Sequence, residues 1–316
     1  MSAKLHLSIS PHIRTHRTTT TIMLDVLIAL LPTFIAGCVI FGLRSLLVVA
    51  VTVGAALLSE WVFTKIMKKP VTLGDLSAAV TGLILGLNLP ANTPIWQCVI
   101  GAVFAIIVVK CLFGGLGCNL VNPAVTARVF MLVAFSNLAK AADPVLPDAI
   151  TGATPLPELA AGKEVPLVNL LLGTTGGSIG ETCAVALLLG LVYLLVRRVI
   201  TWHIPVAYIG TAYLFTLLLV KFDPLVALSW TLSGGLLFGA IFMATDYVTS
   251  PATPLGKLVF GIGCGLLTVL IRFFGNYPEG VSFAILLMNI LNPYIEKLTP
   301  RKLFGKAKKK KGGKTA

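Results

Sequence analysis

With 316 residues, 56% of them hydrophobic and only 12% charged, the chain is far too apolar for a soluble domain, in which about a quarter of residues carry charge. A polytopic helical bundle, at about 20 residues per span, accommodates this length and composition. The formal net charge of +13 does not point to nucleic acid. It gathers beside apolar runs and in the tail around Lys306 and Lys308 to Lys311, where it fixes topology and lies against anionic headgroups or an acidic protein partner.

In chain order, residues 1–20 are polar and basic, with Lys4, Arg14 and Arg17 among three histidines. They lack the apolar centre of a signal peptide, so the segment reads as retained. Apolar runs at 24–42, 45–66, 76–90, 95–113 and 121–139 follow; beyond a polar interruption come runs at 181–196, 203–221, 225–243, 256–271 and 281–296. The expected organisation is therefore an N-terminal segment 1–20, a first membrane half 21–139 of about five helices, a loop 140–180, a second membrane half 181–296 of about five helices, and a basic tail 297–316. The runs 76–90 and 281–296 are short, and the former reads as tilted, broken or re-entrant. A cytoplasmic N-terminus places Lys65, Lys68, Lys69, Lys110, Arg128, Arg197, Arg198, Lys257, Lys297 and the tail inside. It leaves Arg44, Lys140, Lys163, Lys221 and Arg272 outside. This positive-inside distribution puts both termini in the cytoplasm and the 140–180 loop on the extracytoplasmic side.

Acidic groups inside the runs are few. Asp25 has no partner within a turn and is a candidate for an ion path or a subunit contact, since charge in a span is costly. Glu60, beside Trp61 and Lys65, reads as reaching the interface, and Glu181 as capping a helix N-terminus. Two polar, helix-breaking stretches, 114–124 and 242–256, fall on the inner side; there Asn119, Asn122 and Asp246 join Asp25 as ion-path candidates. Plain loops with turn chemistry account for both stretches equally well. Cys38, Cys98, Cys111, Cys118, Cys183 and Cys264 form no C-x-x-C pair and have no histidine at ligand spacing, so no metal site is expected on this chain alone. Cys111 and Cys118 flank a glycine-rich turn; they are either packed thiols, which is the simpler reading, or iron ligands shared with another subunit.

The loop sequence Asp148-Ala149-Ile150-Thr151-Gly152-Ala153-Thr154-Pro155 is an ordinary turn by composition, but it offers a hydroxyl beside the small residues Gly152 and Ala153. Ala252-Thr253-Pro254-Leu255 repeats the tetrapeptide around Thr154. Context separates the two: Asp148 precedes Thr154 by six residues, Asp246 precedes Thr253 by seven, and the topology sets them on opposite faces.

The loop, with Ser10-Pro11-His12-Ile13, Met23-Leu24-Asp25-Val26, the turn Gly114-Gly115-Leu116-Gly117-Cys118-Asn119, Gly180-Glu181-Thr182, Trp202-His203-Ile204-Pro205, Phe242-Met243-Ala244-Thr245-Asp246 and Pro278-Glu279-Gly280, resembles in order the membrane subunits typified by the D subunit of the Rnf complex. The related B subunit of the sodium-pumping NADH:quinone reductase is typically longer, so the compact length favours the Rnf branch. The resemblance implies an all-α polytopic protein of about ten transmembrane helices in two five-helix halves of inverted topology, in the prokaryotic cytoplasmic membrane. It implies covalent FMN joined by a phosphoester to Thr154, with Asp148, Thr151, Gly152 and Ala153 as attachment motif and a separate FMN transferase for maturation. It leaves open a second, noncovalent flavin such as riboflavin. The implied role is an electron relay coupling ferredoxin and NAD⁺ to Na⁺ or H⁺ translocation together with the A, B, C, E and G subunits, the NAD site and other catalytic groups lying on other chains. A quinone-reductase subunit, a non-redox secondary transporter or channel, and a membrane scaffold are the competing classes.

Overall fold

The computed structural model describes residues 17–135, 138, 144, 155–162, 165–275 and 280–300. Among these it is helical and without strands. The chain forms α1 (Thr19–Phe41), α2 (Leu43–Ile66), a 3₁₀ turn (Leu73–Asp75), α3 (Ser77–Leu87), α4 (Ile95–Val103) and α5 (Pro123–Ala134). Two short helices follow, α6 (Pro155–Ala160) and α7 (Leu167–Leu172). Then come α8 (Ala184–Val196), α9 (His203–Leu219), α10 (Pro224–Leu232), α11 (Leu236–Phe238), α12 (Pro254–Phe274) and α13 (Val281–Leu298). α4 and α11 continue directly into π-helical segments, Phe104–Cys111 and Gly239–Met243.

Helix starts follow local sequence grammar. Asn122-Pro123, Asp223-Pro224 and Thr253-Pro254 each supply a capping side chain followed by a residue that needs no backbone donor; the caps accept from Ala124 and Val125, from Leu225 and Val226, and from Gly256. α1 and α2 are separated by Gly42 alone, at φ 73°, a left-handed turn that a side chain would strain.

Among the described residues three helices, α1, α2 and α12, are each long and apolar enough to cross a membrane. α10 and the α11–π unit pass the same test together but are bent by 66°. The continuous span expected at 225–243 is therefore broken, because Ser233-Gly234-Gly235 leaves the helix, with Gly234 at φ 65°. The run 181–196 becomes helical only at Ala184, since the Gly/Ser/Thr-rich segment before it has other backbone conformations. The run 121–139 is helical only to Ala134, with Phe135 extended. The short run 281–296 lies within an 18-residue helix. α3 is only 11 residues, about 16 Å long, and falls short of a bilayer core. Large apolar side chains face outward along the long helices, among them Leu31, Ile35 and Val39 on α1, Leu58 and Val62 on α2, and Val259, Ile262 and Leu266 on α12. So much exposed apolar surface belongs in lipid, and the chain is a multi-pass membrane protein.

Small residues set the helix contacts. Gly82 and Gly86 bring α3 onto α2, Gly261 and Gly265 bring α12 onto α9, and Gly190 of α8 lies on the Ala29 carbonyl of α1. α2 packs on α3 and α4, and α9 on α10 and α12, while α1 meets α8 and α5 meets α13.

Candidate functional site

The N-terminal end of α1 borders a cleft of about 100 Å³ between the two groups of helices. Its walls come from α1 (Met23, Val26), α3 (Val80, Ile84), the end of α8 (Leu194), the turn after α4 (Asn119, Asn122) and the stretch after the second π segment (Thr245, Asp246, Tyr247). The lining is mostly apolar with a few convergent polar groups, and the volume is several times that of a single water site. Three of the four ion-path candidates, Asn119, Asn122 and Asp246, meet here although Asn119 and Asp246 are far apart in sequence.

Their roles differ. Asn122 is a clasp: Oδ1 caps α5 and Nδ2 donates to the Met243 carbonyl at 3.1 Å, tying the first broken stretch to the second π segment. In the amide orientation that satisfies both its neighbours, buried Asn289 of α13 accepts from the Asn122 N–H and donates to the Thr249 carbonyl. Asn119 leaves Oδ1 buried without a partner, an acceptor available to a ligand. Burial pushes the Asp246 carboxyl above its ordinary range, opposed by the Thr249 hydroxyl at 3.0 Å and by backbone amides 247–249.

Asp25 finds a partner that sequence neighbours do not supply. From α8, the Arg197 guanidinium lies 3.2 Å from Oδ1 and Tyr193 donates to the same oxygen at 3.1 Å. Arg17 donates to the Arg197 and Arg198 carbonyls, and Tyr247 to that of Val199, so the end of α8 is fastened from three sides.

Sequence reasoning misjudges Glu60 and Lys110. Glu60 does not reach the interface: it is 2% exposed, and Lys110 is not a loop cation but is buried to the same degree. Lys110 Nζ lies 2.8 Å from Glu60 Oε1 and donates to Ser77 Oγ at 2.6 Å. The π segment that ends at Cys111 delivers Lys110 to this position, and such segments recur at functional sites. Arg128 and Arg272, also counted as loop charges, are buried as well. The detectable signal is one lysine and one glutamate, each inside a different apolar run.

The other candidate region is the motif that precedes α6 in the chain. Asp148, Thr151, Gly152, Ala153 and Thr154 fall outside the described residues. α6 begins at Pro155, and Leu156 and Leu159 pack with Val165, Leu170 and Trp230 in a separate small core. Behind Pro155 is a recess of about 10 Å³ lined by Thr175, Glu181, Thr182 and Ser233, in which the Thr182 hydroxyl is buried without a partner. It admits a water-sized group and no ring. The Glu181 carboxylate lies against Gly235, at the start of α11. Thr253, in the duplicate tetrapeptide, uses its hydroxyl to cap α12 and to bond Thr299 Oγ1 at 3.0 Å. Among the described residues no group of histidine, cysteine and carboxylate side chains is arranged to hold a metal.

Residues 6–305, which include the cleft, the recess and the whole loop, match the NQR2, RnfD, RnfE family. The chain belongs to that family. Within it, the D subunit of the sodium-translocating ferredoxin:NAD⁺ oxidoreductase complex of Acetobacterium woodii is 46% identical over 98% of both chains. The D subunit of the proton-translocating ferredoxin:NAD⁺ oxidoreductase complex of Clostridium ljungdahlii is 39% identical over 95% of this chain and 96% of its own. The D subunit of the ion-translocating oxidoreductase complex of Marinobacter nauticus is also 39% identical, over 96% of each. These family relatives span both ion types by name, and this chain resembles all three along nearly its full length.

Proposed function

We propose that this chain is the electron-relay subunit of an Rnf-type complex, carrying FMN on Thr154 and coupling ferredoxin–NAD⁺ electron transfer to Na⁺ or H⁺ movement. The observation that carries the reading is full-length similarity to the D subunits of such complexes, joined to the Asp148–Thr154 motif. The engaged hydroxyl of Thr253 supports Thr154 over its duplicate, because a capping oxygen is a poor site for a transferase. When bound, the flavin supplies reversible one- and two-electron chemistry, and the protein tunes it by burial and hydrogen bonding.

The membrane arrangement we propose is ten spans in two inverted halves, both termini in the cytoplasm and the 140–180 loop outside, in the prokaryotic cytoplasmic membrane. Counting α10 with α11 as one span, α1–α5 and α8–α13 supply five each. Two features favour the pairing. The connection Pro90-Ala91-Asn92-Thr93-Pro94 after α3 resembles Pro251-Ala252-Thr253-Pro254 after α11. The contacts of α1 with α8 and of α5 with α13 join equivalent helices, as a pseudo-two-fold axis requires.

We assign the second, noncovalent flavin to the cleft. Apolar walls from α1 and α3 suit a planar ring, and the unpartnered Asn119 Oδ1 suits a ring N–H. Asn122 and Asn289 would hold the rim in place by joining the two broken stretches to α13. The partners proposed are the remaining Rnf subunits and an FMN transferase.

The test is Thr154→Val, produced in a host with the flavin transferase and resolved on denaturing gels. Flavin fluorescence should disappear from the band, and it should persist in Thr253→Val. Fluorescence surviving in Thr154→Val would exclude the assignment.

A further inference from the structure

Lys110 is a buried ammonium on the wall of the cleft, and its hydrogen bonds lead out of the interior. On one side it donates to Glu60 Oε1, which also accepts from the exposed Thr72 hydroxyl at 2.9 Å, while Oε2 of the same carboxylate is buried without a partner. On the other side it donates to Ser77 Oγ, and Ser77 Oγ donates in turn to Asp75 Oδ1 at 2.6 Å. Asp75 is only half-buried, at the surface end of the 3₁₀ turn before α3. Lys110 and Ser77 both line the cleft. Asp75, Ser77 and Lys110 thus form a continuous hydrogen-bonded chain from the protein surface to the cleft wall, with Glu60 behind it.

The charge arrangement suits a proton better than a metal ion. An ammonium already occupies the Glu60 carboxylate and repels a second cation at that distance. An ammonium can hand a proton to an acceptor placed against it, which a guanidinium does not, and the hydrogen bond to Ser77 gives a route by which that proton is replaced. The groups that face Lys110 are Glu60 on α2, Asp75 through Ser77, Cys111 beside it, which Lys69 also influences, and Asp246 and Tyr247 on the far wall of the cleft.

We propose that Asp75, Ser77 and Lys110 are a proton inlet, with Lys110 the proton donor and acceptor for the redox ring held in the cleft and Glu60 its fixed counter-charge. This rests on the reading of the cleft as the second flavin pocket. With a flavin in the cleft, an N–H bond of Lys110 would break and its proton would pass to a ring nitrogen as one electron arrives from a one-electron donor of the ferredoxin-linked chain. Asp75, the acceptor in the resting chain, first takes a proton from water; Ser77 then takes that proton from Asp75 as its own hydroxyl proton passes to the neutral amine, so one proton enters from solvent for each one delivered. Oxidation of the ring runs the same transfers backwards, so one proton accompanies each electron.

The experiment uses the intact purified complex with Lys110→Arg and Asp75→Asn. Arginine keeps the cation and the pairing with Glu60 but does not release a proton. Flavin released on denaturation is counted first. Wild-type complex lacking noncovalent flavin would refute the pocket itself, independently of Lys110. With flavin content normal in both variants, the midpoint potential of that flavin should vary with pH in wild type and lose this dependence in Lys110→Arg. Its reduction by ferredoxin should slow by about 100-fold, the scale of general acid–base catalysis. Asp75→Asn should slow reduction less, and less still as the pH falls. A Lys110→Arg complex with wild-type pH dependence and rate would overturn the proposal and leave the pair a purely structural pin. Should Lys110→Arg fail to assemble, the neutral pair Glu60→Gln with Lys110→Met carries the same measurement, with the same two outcomes.

Discussion

Two buried cations stand toward opposite ends of the bundle, each facing the approach to a short helix, and they are held by different chemistry. Lys110 meets Ser77 at the start of α3 and lies against the Glu60 carboxylate. Arg272 donates to the Trp230 and Ser233 carbonyls at 2.7 and 3.0 Å, just before α11. The first is a contact between opposite charges, whereas the second sets a guanidinium, which stays charged at any working pH, against peptide dipoles. One end of the bundle therefore has a buried ion pair beside a cleft. The other has a permanent charge that closes a helix break beside Leu156 of α6.

The comparison is broken most directly at Glu60. Glu60→Leu leaves the Lys110 ammonium buried without its carboxylate, which should cost about 3–5 kcal/mol, whereas Glu60→Gln with Lys110→Met should recover most of that loss. Thermal unfolding of the detergent-purified protein reads both; a single variant as stable as wild type would mean that the pair contributes nothing to the fold. At the other end, Arg272→Met strands the two carbonyls it now satisfies, at about 1–3 kcal/mol for each group left unpaired and not rehydrated. This loss should be the same at pH 6 and pH 9, and a strongly pH-dependent loss would contradict a permanently charged clamp. The smallest effect is expected for Asp25→Asn. Its partner Arg197 is 53% exposed, so the screened pair is worth about 0–1 kcal/mol and assembly should survive. Marked unfolding of Asp25→Asn would show that the α1–α8 contact depends on this charge.

Much of this arrangement is legible in sequence, and the limits have physical causes. Apolar runs locate the long helices because lipid exposure demands uninterrupted hydrophobic residues, as in α1, α2 and α12. The same signal conceals the break at Gly234, where a left-handed glycine costs nothing in hydropathy. Asn119, Asn122 and Asp246 stand out as polar residues in broken stretches, and the fold brings all three to one cleft. Asp25 stands out for lacking a local partner, but its partner lies on α8, 172 residues away. Glu60 and Lys110 read as interfacial because each lies near the end of its run. Only packing of α2 against the π segment after α4 turns them toward each other. Thr253 shares its tetrapeptide with Thr154, and its role is visible only where Pro254 opens α12.

The contacts of α1 with α8 and of α5 with α13 also bear on how the protein is made. α1 and α5 are synthesised long before α8 and α13, so their mating surfaces wait in the membrane, covered by lipid or a chaperone, until the second set of helices arrives. Stable tertiary structure thus forms late in translation. A gene split within the 140–180 segment and expressed as two polypeptides retains every one of these helix contacts, so the pieces are expected to find each other in the bilayer.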